Sequence, residues 1–442
     1  MLVFAPLLTR LYSPSDFGEY SFFISIITVL GVIGSLRYEL LFPSLRFKAE
    51  EVNLFGLCII IILSMSAILL LTIDLTFDKS FLNINKDRFF NVYLVVGFIS
   101  FSLAKVCNYI LIRNEKFNII SIIRIKQVLC ISTLQLMLFK IMNNSLIISF
   151  LISWTLVVIT QTFFLNLNYY KVKFSTQKIM YLFKRYKHYP LFIGTSSLIN
   201  VLGSQVPLLF CPILFGVQFA GLYFLAHRFI SSPLMLIGGA ISDVYLSDGK
   251  QKLKDGILGQ QLINLQSLIL SLAIPVFIFL YLFIHDIITF LFGNSWNGVS
   301  EICEYMIPYA LIQLVVSPIL ISFTIMDRMK FTLSMQVILN LFRISSLVLG
   351  YIYNDAFLFV ITFTVSSSII YLIFQLIIYR LLKLNSKDYI KIFSNIMFRG
   401  VFIMFPCILF YFNNNSIILL LMIPLSFYFI YSIWNLVNMQ LK

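Results

Sequence analysis

Residues 52–73 read VNLFGLCIIIILSMSAILLLTI, with no Asp, Glu, Lys or Arg among them. As an α-helix at 1.5 Å per residue they would reach about 33 Å. The hydrocarbon core of a bilayer is about 30 Å thick. Apolar windows of this kind recur at 17–36, 90–112, 117–139, 144–166, 190–214, 216–243, 257–284, 299–326, 331–352, 355–379, 397–413 and 416–438, which with 52–73 predicts 13 full spans. Of the 442 residues, 60% are hydrophobic and 11% charged, where a soluble domain carries about 25% charged residues. No globular core absorbs that much apolar sequence, and the alternating strands of a membrane barrel do not occur. The chain reads as an all-α integral membrane protein.

The net charge is +14, which in a soluble protein would point to nucleic acid. Here position matters more than the sum. Alternate loops hold 21 of the 32 Lys and Arg residues, the longest and most basic being 167–189; the opposite loops hold five. The positive-inside rule places the basic loops and terminal Lys442 in the cytoplasm. No nucleic-acid partner is expected. Six cysteines stand singly, at 58, 107, 130, 211, 303 and 407, and His188, His227 and His285 lie far apart. That pattern implies no disulfide framework, metal or cofactor. No loop is long enough to fold as a domain, so the function lies within the membrane.

Six cations fall inside spans: Lys105, Arg124, Lys126, Arg228, Arg343 and Arg399. Arg399 is near a span end, where its side chain reaches the interface. Each of the others would cost about 2.5–3.5 kcal/mol at a helix centre. Polar neighbours accompany them at helical spacing: Gln336 and Asn340 with Arg343, Ser102 and Asn108 with Lys105, and Ser231 and Ser232 after Arg228. A further stripe is Ser196, Asn200 and Ser204. Such stripes fit either the wall of a hydrated cavity or hydrogen bonds between helices. The deep cations favour a cavity. Acidic residues near spans (Glu39, Asp243, Asp286, Glu301, Glu304) sit at span ends. Deep charge of one sign, positive, suits an anionic substrate such as a phosphate or acidic sugar. Prolines 207, 212, 233, 275, 308 and 318 within spans predict kinks.

A short repeat relates Asp16-Phe17-Gly18-Glu19-Tyr20 to Phe219-Ala220-Gly221-Leu222-Tyr223. Six spans separate the copies, so the halves would run parallel, as in many secondary transporters.

Residues 6–18, PLLTRLYSPSDFG, followed by 36–40, LRYEL, carry a resemblance to the polysaccharide transporter family. These are the lipid-linked oligosaccharide flippases of O-antigen and capsule assembly, within the multidrug/oligosaccharidyl-lipid/polysaccharide exporter superfamily. Arg185-Tyr186-Lys187 through Pro190, Ala220 to Tyr223, Ala226-His227-Arg228, Phe292-Gly293 with Trp296, Pro308 and Ser317-Pro318 extend it along the chain. The resemblance implies two six-helix lobes around a central cavity plus a C-terminal helix pair. On this chain that gives an N-lobe at 1–166, a basic cytoplasmic linker at 167–189, a C-lobe at 190–379 and the pair at 380–442. In the related peptidoglycan-precursor flippase such a pair forms a groove for the lipid tail.

The implied substrate is an undecaprenyl-diphosphate-linked oligosaccharide repeat unit. It would be moved across a bacterial inner membrane from the cytoplasmic to the periplasmic leaflet, with membrane lipids, a polysaccharide polymerase and a chain-length regulator as partners. The expected cavity cations are Arg37, Lys105, Arg124, Arg228 and Arg343; of these Arg37 and Arg228 lie in matching motifs, the rest being chosen by depth and sign. Superfamily coupling to a proton or sodium gradient makes Glu39 and Asp243 candidates, unless they pair with Arg37 and Arg228. Two alternatives stand beside the flippase. A cation-coupled drug antiporter of the same superfamily would want buried carboxylates. An O-antigen polymerase or ligase enzyme would want a large outward loop.

The opening, MLVFAPLLTR, covers only about 12 Å to Leu8 as a helix. It lacks a basic n-region and a cleavage site. By the same resemblance it is the last turns of a truncated first helix, and a start about 20 residues upstream is expected. Ser13-Pro14-Ser15-Asp16 reads as the start of the next helix, with Ser at the cap and Pro at the first position.

Overall fold

The computed structural model describes residues 4–45, 47–76, 89–142, 144–165 and 175–384, with positions 394 and 397. Among them 11 helices are long and apolar enough to cross a membrane. They fall on the expected spans from 17–36 to 355–379. The expected spans 397–413 and 416–438 lie outside the described residues. No strand occurs among the described residues; the protein is all-α. Large apolar side chains such as Phe163, Leu236 and Phe290 are exposed, as a lipid-facing surface requires.

Residues Met1–Phe224 form one compact unit and Leu225–Lys442 a second. The first begins with α1 (Ala5–Thr9) and α2 (Pro14–Ile33). A capping box starts α2: Ser13 N donates to Asp16 Oδ2 at 2.8 Å, and Asp16 N donates to Ser13 Oγ at 3.3 Å. The cap satisfies two backbone donors the helix would otherwise leave open. Two consecutive residues in left-handed conformation, Leu36 (φ +49°) and Arg37 (φ +64°), turn the chain into a 3-10 segment, Tyr38–Ser44. Then come α3 (Lys48–Thr76), α4 (Phe90–Arg113), α5 (Phe117–Leu138), α6 (Ser145–Phe164), the short basic α7 (Thr176–Arg185) and α8 (Thr195–Leu214). Aromatic rings on α2 make its core. Phe23 meets Phe90 and Phe150 at 6.1 and 5.8 Å, and Tyr20 meets Phe150 at 6.4 Å. α7 packs on α3. There Asn53 Oδ1 accepts from Ser175 N at 2.9 Å, and Tyr38 Oη donates to the Phe183 carbonyl at 3.2 Å. Burial pushes the Tyr38 phenol above its ordinary pKa, which keeps it a donor.

α8 packs along α2, and the first turn of α9 (Val217–Lys254) crosses α2. At the crossing a Cβ on Gly18 would strike the Val217 carbonyl, and one on Gly221 would strike that of Pro14. These are the glycines of the two repeat copies. The repeat therefore marks a reciprocal backbone approach that only small residues permit.

In the second unit α10 (Leu258–Phe292), α11 (Asn297–Val316), the short α12 (Ser322–Ile325), α13 (Met329–Ile352) and α14 (Ala356–Leu381) follow the body of α9. Leu234, Ile269, Leu270, Ile274, Ala310 and Leu314 form an apolar core. Pro207, Pro212, Pro233, Pro275 and Pro308 stand inside helices, whereas Pro318 opens a 3-10 turn after α11. Buried polar groups tie helices together: Tyr379 donates to Gln266 Oε1, and Tyr245 Oη lies 3.0 Å from Ser322 Oγ.

Candidate functional site

In the first unit a cavity of about 240 Å³ lies among α4, α5, α6 and the turn that ends α2. Arg37, Lys105, Asn108, Arg124, Gln127 and Gln161 give it its polar lining. Three cations proposed from sequence thus share one cavity. Each is brought there by a different local device.

The left-handed turn at Leu36-Arg37 breaks the course of α2 and brings Arg37 to the wall. Such a conformation costs a non-glycine residue about 1–2 kcal/mol, so the turn is kept against local preference. Lys105 faces α2 where Gly31 leaves room: its Nζ donates to the Gly31 carbonyl at 3.3 Å and lies 4.3 Å from the Phe101 ring centroid. A Cβ on Gly31 would meet the Phe101 ring. Arg124 and Gln127 are three residues apart on α5, hence on adjacent positions of one face. Lys126 points elsewhere and is absent from this lining.

The site carries little negative charge of its own. Glu39 is fully buried; it accepts from Ser35 Oγ and lies 3.5 Å from Arg37 Nη1. Arg37 Nε and Gln161 Oε1 are buried without a hydrogen-bond partner. Three cations in one lining, with a single carboxylate beside Arg37, give the cavity a composition that suits an anion. Arg124 lies seven residues, about 10 Å, from the start of α5, and Lys105 eight residues, about 12 Å, from the end of α4. Both distances run from the ends that carry the basic loops. Of the residues proposed for ion coupling, Glu39 lies beside Arg37 of this lining. Asp243 is exposed on α9, 15 residues or about 22 Å along the helix from Arg228, too far to pair with it.

Arg228 and Arg343 lie in the second unit. Both are close enough to His227 for their charges to act on it. Arg343 sits 5.5 Å from the Phe363 ring centroid and hydrogen-bonds Tyr309. Tyr309 in turn bonds Tyr371, which also engages Gln313. The result is a knit cluster of cation, phenols and amide across α11, α13 and α14.

Sequence reasoning did not single out Trp154, Gln127 or Gln161, nor the tyrosines around Arg343. The signal for the α6 pair was a seven-residue spacing, Trp154 to Gln161, on one helix face. It also missed fully buried Glu51, which pairs with Arg113; Arg113 Nε and Nη2 each donate to the Leu45 carbonyl at 3.3 Å. Arg113, read as a loop charge, ties α3 to α4. Arg399 lies outside the described residues.

A family model described as "Polysaccharide biosynthesis protein" matches residues 7–301. Among solved structures the chain is similar to "Lipid II flippase MurJ, inward closed conformation", with a TM-score of 0.74 and 16% identity over 99% of this chain and 97% of that one. It is also similar to "Inward-facing conformation of a multidrug resistance MATE family transporter of the MOP superfamily", with a TM-score of 0.61 and 14% identity over 86% of this chain and 94% of that one. At such identities both describe the fold. A comparison with curated proteins gives no match.

Proposed function

This chain belongs to the polysaccharide biosynthesis protein family, and from that premise we propose that it is a flippase for undecaprenyl-diphosphate-linked oligosaccharide repeat units. Family membership and a flippase-like transporter fold carry the coarser reading, a polysaccharide-synthesis membrane protein of transporter type. The single observation that favours the finer one is the first-unit cavity, which Arg37, Lys105 and Arg124 line together.

A sugar diphosphate cannot cross hydrocarbon unaided, because its polar groups would lose water without compensation. In this reading the diphosphate enters from the side of the basic loops, which face the cytoplasm. Arg37 and Arg124 grip its oxygens as bidentate donors, and Lys105 adds a point charge. Asn108, Gln127 and Gln161 offer hydrogen bonds of either sense to the sugar-proximal oxygens. Alternating access around this site, in the bacterial inner membrane, then releases the head on the periplasmic side. Glu39, as the counter-ion of Arg37, is the carboxylate placed to link substrate binding to a proton or cation. The C-terminus lies in the cytoplasm, and the polymerase and chain-length regulator act on the product. A drug antiporter for organic cations is disfavoured by three cations in the cavity, and a polymerase or ligase enzyme by the short outward loops.

Deleting the gene and analysing lipid-linked sugars tests the reading. Repeat units should accumulate on the cytoplasmic leaflet and surface polysaccharide should fall. Normal surface polysaccharide in the deletion overturns it.

A further inference from the structure

Beside the cationic cavity a second one, of about 270 Å³, opens between α5 and α6. Ile119, Ile122, Leu156 and Phe164 make its wall apolar, and Lys126 is the one charged side chain in its lining. Ile122, Leu156 and Phe164 are exposed, so the groove opens to the surface of a membrane-spanning unit. Ile123, Gln127 and Val157 belong to the walls of both cavities. One cleft between two helices is therefore cationic on one side of that three-residue seam and apolar on the other.

We propose that the α5–α6 groove takes the first isoprene units of a polyprenyl diphosphate whose diphosphate sits among Arg37, Lys105 and Arg124. The inference rests on the flippase reading and adds a path for the tail. Charge complementarity chooses the head, and the shared seam sets the join between head and tail. Depth chooses this lipid over a bilayer phospholipid. Lys105 and Arg124 lie about 10–12 Å from the helix ends, whereas the headgroup layer on each side of a bilayer is about 5–8 Å thick. A phospholipid resting in its own leaflet keeps its phosphate in that layer. A polyprenyl diphosphate drawn in by the cations leaves its tail leading sideways through the groove into the bilayer. The groove is smaller than a complete ligand pocket of roughly 300–1,000 Å³, which fits a site for the start of a long tail. It belongs to the first unit, whereas the resemblance places a tail groove in the C-terminal helix pair.

The test measures binding of three probes to the purified full chain: undecaprenyl diphosphate, inorganic diphosphate and phosphatidylglycerol. Wild type should prefer undecaprenyl diphosphate over inorganic diphosphate by about tenfold or more. Ile122→Trp and Leu156→Trp fill the groove from exposed positions and should keep the wild-type melting temperature. They should remove the preference while leaving inorganic diphosphate binding intact. Lys105→Ala with Arg124→Ala should weaken both diphosphates. Full preference in both Trp variants overturns the tail site and leaves the flippase reading standing. Phosphatidylglycerol competing as well as undecaprenyl diphosphate makes the groove a bulk-lipid contact and also overturns it. If wild type binds neither diphosphate, the flippase reading fails and this inference with it.

Discussion

The two units each place cations within the membrane span, and they treat them differently. In the first, Arg37, Lys105 and Arg124 line a cavity, and Arg37 lies 3.5 Å from Glu39. In the second, Arg343 is engaged by Tyr309 and stacked near Phe363, and Tyr309 is engaged by Tyr371. The first cluster lines open space. The second has its cation inside a network of neutral donors and acceptors. A cation in a span is thus not one kind of feature: one group lines a cavity, and the other is knit among neighbouring helices. On the proposed reading, substrate binding belongs to the first unit and Arg343 serves mainly to hold helices together.

The sharpest way to break that assignment is to empty the first cluster. Each charge-assisted hydrogen bond contributes about 1.5–3 kcal/mol. Removing two cations together, Lys105→Ala with Arg124→Ala, should therefore weaken diphosphate binding by about a hundredfold or more. The melting temperature should hold, because Arg124 is exposed and Lys105 is held only by one 3.3 Å bond and a ring. Isothermal titration beside a thermal scan reads both quantities. Unchanged binding would remove the functional half of the contrast.

A smaller effect is expected at Arg343, and in the other observable. Arg343→Ala leaves the Tyr309 phenol short of a partner in a buried site, which destabilises by about 1–3 kcal/mol. Diphosphate affinity should change by less than about threefold. Arg343→Lys keeps a donor and should recover part of the stability. If Arg343→Ala instead abolishes export at wild-type stability, the second cluster binds substrate and the two units are alike.

How much of this could be read beforehand differs by residue. The span at 52–73 is legible because apolar length alone decides it, and the Ser13–Asp16 cap because its partners are three residues apart. Arg37 was legible from its motif and from its position at a span end. The stripe Ser102, Lys105, Asn108 was legible only in part. Steps of three residues drift about 60° backward around a helix each time, so the stripe's ends are about 120° apart. Lys105 and Asn108 reach the cavity, while Ser102 packs at the place where a Cβ on Gly34 would collide with it. Gln161 and the Tyr309–Arg343 contact depend on which helices are neighbours, and local periodicity does not carry that information. The pairing of Glu51 with Arg113 was hidden for a related reason. Both sit at helix ends, where sequence cannot distinguish a charge facing water from one turned inward.

The smallest effect separates the two clusters most finely, because it asks what each cation does to the backbone that carries it. Arg343 lies within α13, a regular helix, where arginine is a good helix former. Arg37 stands at φ +64° directly after Leu36 at φ +49°, a conformation that glycine adopts without the steric penalty of a side chain. Arg37→Gly and Arg37→Ala both delete the cation, so both should lose diphosphate affinity by about tenfold or more. They should part in stability. The glycine variant is relieved of the left-handed strain and the alanine variant is not, so glycine should be the more stable by about 1 kcal/mol, less the entropy that glycine adds to the unfolded chain. Equal stability would mean that the turn is held by its surroundings whatever residue occupies it. A more stable glycine variant that no longer binds would show a position where folding favours glycine and function requires arginine. No such conflict is expected at Arg343, where removing the cation should weaken the fold.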